Sequence, residues 1–321
     1  MGKKFIILIV VILALAIFAY LWWLRAIAPV DKAITSYKTF VIARGEDIRT
    51  IAKRLQKEGL IRDPIAFFLL VRYGGFQKDI QSGDFRLSPS EDLKTIAGTL
   101  THGTLDVWVT SLEGWRNEEI ALKLNQLIGI PESDFLTNAR EGYMFPDTYL
   151  IPKDASGAGV ASLFLENFNK KVTPDIITKA KQKGLTVNDL IIIASLVERE
   201  AKYDEDRPIV ASVILNRLKL GMKLDVDATV QYALGYQADQ KSWWKKDLTT
   251  EDIVIVSPYN TYKNNGLPPG PVCNPGLAAI KAVAEAPDTN YLYYVSDKTG
   301  KIHPAKTVEE HNGNVQKYVN K

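Results

Sequence analysis

Residues 189–235, DLIIIASLVEREAKYDEDRPIVASVILNRLKLGMKLDVDATVQYALG, decide the fold of this chain. The first part, Asp189–Ala201, is rich in helix formers and is apolar on almost every face from Leu190 to Val197. We therefore predict a helix buried at the centre of a domain. Several residues at its start could serve as the N-cap: Thr186, Asn188 and Asp189.

Two glutamates, Glu198 and Glu200, lie at the end of this helix. Glu200 follows Leu196 by one turn and so continues the apolar stripe. Because a carboxyl in apolar surroundings loses hydration, its pKa rises, and it can then act as a general acid near neutral pH. The alternative is that Glu200 is a solvated residue near a helix C-terminus. Glu198 follows a smaller, more polar face and is predicted to be a surface charge.

The segment Asp206–Lys219 predicts a second helix, with Pro208 in its first turn and Gly221 just beyond its end. Asn216 and Arg217 are polar residues within it. We expect that one of them contacts Glu200 and orients it without touching the substrate, or that Asn216 is a buried structural residue.

These residues resemble the catalytic domain of the endolytic murein transglycosylases, the MltG or YceG-like family. The matching segments are ASLVEREA (194–201), VASVILNRLKLGMKLDVDATVQYALG (210–235), SPYNTYKNNGLPPGPVCNPG (257–276) and EGYMFPDTY (141–149). The resemblance covers nearly everything from about residue 30 to the end. It implies that the chain cleaves peptidoglycan between N-acetylmuramic acid and N-acetylglucosamine, with Glu200 as the catalytic acid.

The resemblance also implies a reaction with a single carboxylate. Glu200 would protonate the glycosidic oxygen and then take a proton from the C6 hydroxyl, which attacks C1 and forms a 1,6-anhydro ring. No water, metal or other cofactor takes part. Asp225 and Asp227 are candidates for a second carboxylate that would permit hydrolysis instead, although they are also suited to orienting substrate or capping turns.

Two loops rich in aromatic, Gly, Pro and Asn residues, 140–149 and 257–276, are predicted to face the sugar, because rings stack on pyranoses and polar groups bind hydroxyls. The alternatives are an aromatic mini-core in the first loop and residues that only fix turns in the second. The substrate-binding candidates are Glu141, Tyr143, Asn216, Asp227, Tyr259, Asn260 and Tyr262.

Composition and residue spacing exclude only a few classes of function. Charge is nearly balanced, with 40 basic and 37 acidic residues, so a nucleic-acid partner is not expected. The single cysteine, Cys273, is predicted to be structural. The histidines are His102, His303 and His311. They do not have the spacing of metal ligands, so we predict no metal.

The run Phe5–Leu24 is apolar, carries no charge and is long enough to span a bilayer. Lys3 and Lys4 before it favour a cytoplasmic N-terminus, and Trp22 and Trp23 suit the far interface. A cleaved signal peptide is the competing interpretation, with residues 26–28 as the cleavage site. We favour a retained single-pass anchor in the cytoplasmic membrane, with the rest of the chain outside.

We predict an α+β fold in three parts: an anchor (1–29), a LysM-like module (30–103) and a mixed α+β catalytic domain (104–321). The module either binds glycan or acts as a spacer. The leading function is a membrane-anchored endolytic lytic transglycosylase. Its alternatives are a hydrolytic muramidase and a non-catalytic peptidoglycan-binding scaffold. Expected partners are glycan strands, the membrane and cell-wall synthases.

Overall fold

A computed structural model describes residues 2–43, 45–76, 80–102, 106–153 and 155–320. The strands are β1 Lys38–Ile42, β2 Gly83–Leu87, β3 Val107–Thr110, β4 Thr148–Ile151, β5 Tyr293–Ser296 and β6 Ile302–Ala305. The helices are α1 Gly2–Ile27, α2 Ile48–Lys57, α3 Pro64–Tyr73, α4 Leu93–His102, α5 Asn117–Ile128, α6 Glu132–Asn138, α7 Gly157–Lys171, α8 Pro174–Gln182, α9 Val187–Glu200, α10 Arg207–Lys219, α11 Asp227–Leu234, α12 Thr250–Ile253, α13 Leu277–Ala284 and α14 Val308–Asn314. A π-helical segment, Val315–Val319, follows α14. The α+β class is confirmed.

The chain forms two compact units. The first comprises the residues up to Val107 together with 152–153, and the second comprises Trp108–Ile151 and the residues from Ala155 onward. The alternation of apolar and polar residues over 104–112 predicts a strand. Its central part is confirmed as β3, while residues 103–105 lie outside the described residues.

The first unit is built on the antiparallel pair β1–β2, in which Phe40 lies opposite Phe85. Both rings are buried with residues from α2, α3 and α4. Asp47 and Asp63 cap α2 and α3 through their side chains. For α4, the sequence predicts a helix from Glu91 to Leu100 capped by Ser90. That cap is wrong, because the Thr95 amide donates to the Asp92 carboxylate at 2.7 Å.

Helix α1 belongs to the first unit. Its stretch Ile7–Ile27 is long and apolar enough to cross a membrane. The last turns of α1 pack on the core of the unit, where Ala26 is buried and the Trp22 indole donates to Asp63 at 3.2 Å. If α1 spans a membrane, it therefore continues directly into the folded part of the first unit.

The second unit is organised around α9, as the sequence predicts. Every residue from Leu190 to Val197 is buried. Thr186 and Asp189 form a reciprocal capping box at its start, which selects Thr186 among the candidate caps. Helices α8, α10, α11 and α13 pack around it. This packing leaves the C-terminal end of α9, with its two glutamates, beside β5 and the start of α11.

Candidate active site

Glu200 is the last residue of α9, and its carboxylate accepts a hydrogen bond from the Tyr294 hydroxyl at 2.9 Å. Burial is the main reason that the pKa of Glu200 rises to about 7, and the nearby Asp227 raises it further. The Tyr294 hydroxyl, Arg199 and the Ala228 amide act in the opposite direction. Because the residue keeps part of its surface exposed, Glu200 can hold a proton at neutral pH and still reach a ligand.

The surroundings of Glu200 come from segments far apart in the chain. Tyr294 is on β5, and Asp227 and Ala228 begin α11. The Tyr262 hydroxyl donates to Asp227 at 2.6 Å. Burial and the charges of Asp227, Asp225 and Glu200 raise the pKa of Tyr262. Two predicted binding residues, Asp227 and Tyr262, are thus placed next to the predicted acid.

Glu198 has a different environment, and the prediction of a surface charge is wrong. Only 6% of its side chain is exposed, and it pairs with the equally buried Arg207 at 2.8 Å. Its second oxygen accepts the Gly276 amide at 2.9 Å. Burial still raises the pKa of Glu198, while Arg207 and that amide lower it. Glu198 therefore ties α9 to α10 and to the start of α13, whereas Glu200 faces the tyrosines.

Asn216 does not contact Glu200. Its amide group donates to the carbonyls of Thr289 and Tyr291 at 2.9 Å each. Arg217 donates to the Leu292 carbonyl at 2.6 Å and to the Leu224 carbonyl at 2.9 Å. These two side chains hold the chain that leads into β5, and so position Tyr294.

A separate cavity lies in the second unit. It has a volume of about 800 Å³. Its lining includes Asn216, Lys179, Lys219 and Glu285 but not Glu200. Asn216 therefore lines this cavity and holds the segment that leads into β5, and its contact with substrate stays a prediction.

Asn260 and Tyr143 are also placed in structural roles. Asn260 is fully buried, donates to the carbonyls of Ile253 and Ile255 at 2.8 Å, and accepts the Tyr262 amide. Tyr143 is 6% exposed, and its ring lies 4.8 Å from that of Phe168. In this conformation backbone hydrogen bonds occupy the Asn260 side chain. Tyr143 is enclosed by packing, and its hydroxyl donates to the Asn188 side chain at 3.3 Å. The contact of both residues with substrate stays a prediction.

Glu141 is a second carboxyl with a raised pKa. It accepts the Asn117 amide at 3.3 Å and the Asn274 side chain at 3.1 Å. Burial, helped by the charge of Glu118, raises the pKa of Glu141 to about 8. The residue links the loop 140–149 to the start of α5 and to the loop 257–276, and its contact with substrate stays a prediction.

Tyr259 also remains a candidate. It is partly exposed, and its ring lies 4.7 Å from that of Tyr232 on α11. The sequence does not single out Tyr232 or Tyr294. Their tyrosine-rich segments carry no local signal that distinguishes them, because each role depends on a partner that is distant in the chain.

Gly142, next to Glu141, provides a test of this packing. It has a φ of +84°, and a Cβ at this position would lie 2.5 Å from Pro271 and 2.8 Å from Ile191. Gly129 has a similar φ of +76° but open space around it. We expect Gly142→Ala to lower the free energy of unfolding by about 1–3 kcal/mol more than Gly129→Ala does, because only Gly142→Ala adds overpacking to backbone strain. Urea denaturation of the two variants measures the difference, and equal losses would contradict the packing.

Among the residues that the structure describes, no group of His, Cys, Asp and Glu side chains is arranged to hold a metal ion. His303 instead contacts Asp297 at 2.9 Å, with its ring stacked on Tyr318.

Comparisons with known proteins agree on one family. The YceG-like family profile matches residues 40–317. The chain is 31% identical to an endolytic murein transglycosylase of Streptococcus pneumoniae, covering 99% of this chain and 66% of that protein. It is also 31% identical to one of Bacillus subtilis, covering 94% of this chain and 90% of the relative. A crystal structure of a yceG-like protein from Listeria monocytogenes superposes with a TM-score of 0.59 at 28% identity, covering 86% of this chain and 98% of that one.

Proposed function

The chain belongs to the YceG-like family, and we propose that it is an endolytic lytic transglycosylase that cleaves peptidoglycan between N-acetylmuramic acid and N-acetylglucosamine. Relatives named endolytic murein transglycosylases support the reaction class. The pneumococcal relative is longer, and this chain spans 66% of its length. The observation that carries the proposal is the Glu200 carboxyl, which is partly exposed and has a pKa of about 7.

In the proposed reaction, protonated Glu200 gives its proton to the glycosidic oxygen, and the bond to C1 of the muramic acid breaks. The Glu200 carboxylate then takes the proton of the C6 hydroxyl as that oxygen attacks C1. This closes a 1,6-anhydro ring and returns the proton to Glu200. A pKa near the working pH suits a group that acts as acid and base in turn. The Tyr294 hydroxyl and the Ala228 amide stabilise the carboxylate between the two steps.

A hydrolytic muramidase is the second candidate, because Asp227 is close enough to raise the pKa of Glu200 and could direct a water molecule. Mass spectrometry of the products released from purified sacculi separates the two reactions. Lytic cleavage leaves anhydro ends, and hydrolysis leaves reducing ends that are heavier by one water. Reducing ends would transfer the assignment to hydrolysis. Binding without any released product would favour a non-catalytic scaffold.

The pH dependence of the rate follows from the state of Glu200. The free enzyme must carry the proton on Glu200 to begin the reaction, so we expect kcat/KM to fall as the pH rises through about 7. Turnover of solubilised glycan strands between pH 5 and 9 measures this limb. A rate that stays level up to pH 9 would contradict Glu200 as the acid.

Tyr294→Phe should shift the pH at which kcat/KM falls. The Tyr294 hydroxyl stabilises the carboxylate and lowers the pKa of Glu200, so its loss raises this pKa. We expect the limb to shift to higher pH by about one unit, the effect of one hydrogen bond to a charged group. Tyr293→Phe is the matched control, since the Tyr293 ring lies against His311 and Arg217 instead. Equal shifts in both variants would contradict the assignment.

Location and domain roles extend the proposal. We propose that α1 is a retained anchor with its N-terminus in the cytoplasm, so that residues 104–321 act outside the cytoplasmic membrane. Residues 30–103 are proposed to form a LysM-like module, either a glycan-binding unit or a spacer, and cell-wall synthases are proposed partners. Protease digestion of intact spheroplasts tests the orientation, because a chain with its C-terminal part outside is cut without lysis.

A further inference from the structure

Helix α11 and the loop that begins at Ser257 lie side by side and connect Glu200 with a second group of aromatic rings. At the start of α11, Asp227 accepts the hydrogen bond from Tyr262. Further along the helix, the Tyr232 ring meets that of Tyr259. The helix has 8 residues and is therefore about 12 Å long at 1.5 Å per residue. This aromatic surface leads away from Glu200 towards the C-terminal end of α11.

The segment 236–249, which follows α11, continues the surface. The rings of Tyr236 and Trp243 lie 5.2 Å apart at 60° to each other. The segment is fixed to α11, because the Gln231 side chain donates to the Lys245 carbonyl at 2.6 Å. A bridge between Gln237 and Ser242 closes its turn. The two rings are thus held in place rather than carried on a loose loop.

A buried arginine packs against the rings of Tyr232 and Trp243. Arg116 is 4% exposed, and its guanidinium lies 4.1 Å from the centre of the Tyr232 ring and 4.8 Å from that of Trp243. It also donates to the Tyr232 carbonyl and pairs with Glu118. A cation over an aromatic face stabilises the arrangement. The outer ring, Tyr236, is nevertheless 49% exposed.

We propose that Tyr236 and Trp243 form a remote subsite that stacks on a pyranose ring of the glycan strand, several sugar units from the bond that Glu200 cleaves. This inference rests on the proposed function. Rigid rings with polar tips bind sugars at a small entropic cost, and their continuity with the Glu200 surface identifies the occupant as another part of the same strand. The subsite makes KM depend on strand length, whereas kcat depends on Glu200.

Binding can be measured without turnover in the full-length Glu200→Gln chain, solubilised in detergent. The probes are glycan strands stripped of peptide stems and separated by length. We expect Tyr236→Ala and Trp243→Ala to weaken binding of long strands roughly 2- to 10-fold, the range for one aromatic contact. Binding of the shortest strands stays unchanged. Trp243→Phe keeps a ring and should restore most of the affinity.

The controls separate this subsite from general effects. Trp108→Ala removes an exposed tryptophan from β3 and should leave binding unchanged. Because Trp243 also packs on Arg116, the exposed Tyr236 provides the variant least prone to misfold. Length-independent losses, or unchanged binding in both alanine variants, would overturn the subsite alone. A Glu200→Gln chain that binds no glycan of any length would overturn the proposed function as well.

Discussion

Replacement of Glu200 by glutamine is expected to lower the rate of anhydro-product release from purified sacculi by about 10²- to 10⁴-fold, the usual contribution of a general acid–base group. The amide has almost the same shape as the carboxyl but has no acidic proton to give to the glycosidic oxygen. Mass spectrometry of the released fragments measures the rate. Glycan binding should persist, since the neighbouring tyrosines are unchanged.

Stability distinguishes this loss from misfolding. Burial raises the pKa of Glu200 to about 7, above the value of about 4.3 in an unfolded chain. Between these values the folded state binds more protons, so the contribution of Glu200 to stability is present at low pH and is lost as the pH rises through about 7. Because glutamine never ionises, the variant should be more stable than the wild type above pH 7. A variant that is less stable there would contradict the buried site.

Glu198→Gln is the matched control, two residues away on the same helix. It weakens the pair with Arg207 and should reduce stability, while the rate per folded molecule stays close to that of the wild type. The reverse pattern, with full activity in Glu200→Gln and loss in Glu198→Gln, would move the catalytic role to Glu198.

The sequence predicts α9 well because its signals are local. Periodic apolar residues identify a helix buried on all sides, and the same stripe singles out Glu200 before any partner is known. The sequence also predicts α2, from the apolar face Ile48, Ile51, Ala52 and Leu55. First-turn prolines, Pro64 and Pro208, predict the starts of α3 and α10. The misassigned cap of α4 shows how weak such signals are when serine and aspartate stand close together.

The partners of Glu200 could not be predicted in this way. Tyr294 lies 94 residues further along the chain, and tertiary packing, including that of β5 against α10, brings it to the end of α9. The buried, backbone-bonded position of Asn260 could not be predicted for a related reason. An amide side chain in a loop can form hydrogen bonds with a sugar or with nearby backbone groups, and the residue types around it are the same in both cases.

Arg207→Met tests the buried partner of Glu198. The guanidinium lies at the start of α10, is 7% exposed in its side chain, and neutralises a carboxylate that is 6% exposed. Its removal leaves a buried charge with the Gly276 amide as its remaining close donor. We expect the free energy of unfolding to fall by about 3–5 kcal/mol. In a unit of this size, that corresponds to a decrease in Tm of roughly 6–20 °C.

Lys179→Met is the appropriate comparison. Lys179 also pairs with a carboxylate that is distant in the chain, that of Glu285, but the Lys179 side chain is 40% exposed. An exposed pair contributes about 0–1 kcal/mol, so this variant should melt close to the wild type. The double variant Glu198→Leu/Arg207→Met removes both charges and should recover much of the loss, since well-packed apolar groups can replace a buried pair. Such recovery would locate the cost of the single change in the orphaned Glu198 carboxylate. A double variant as unstable as Arg207→Met would instead assign that cost to the packing of the arginine side chain.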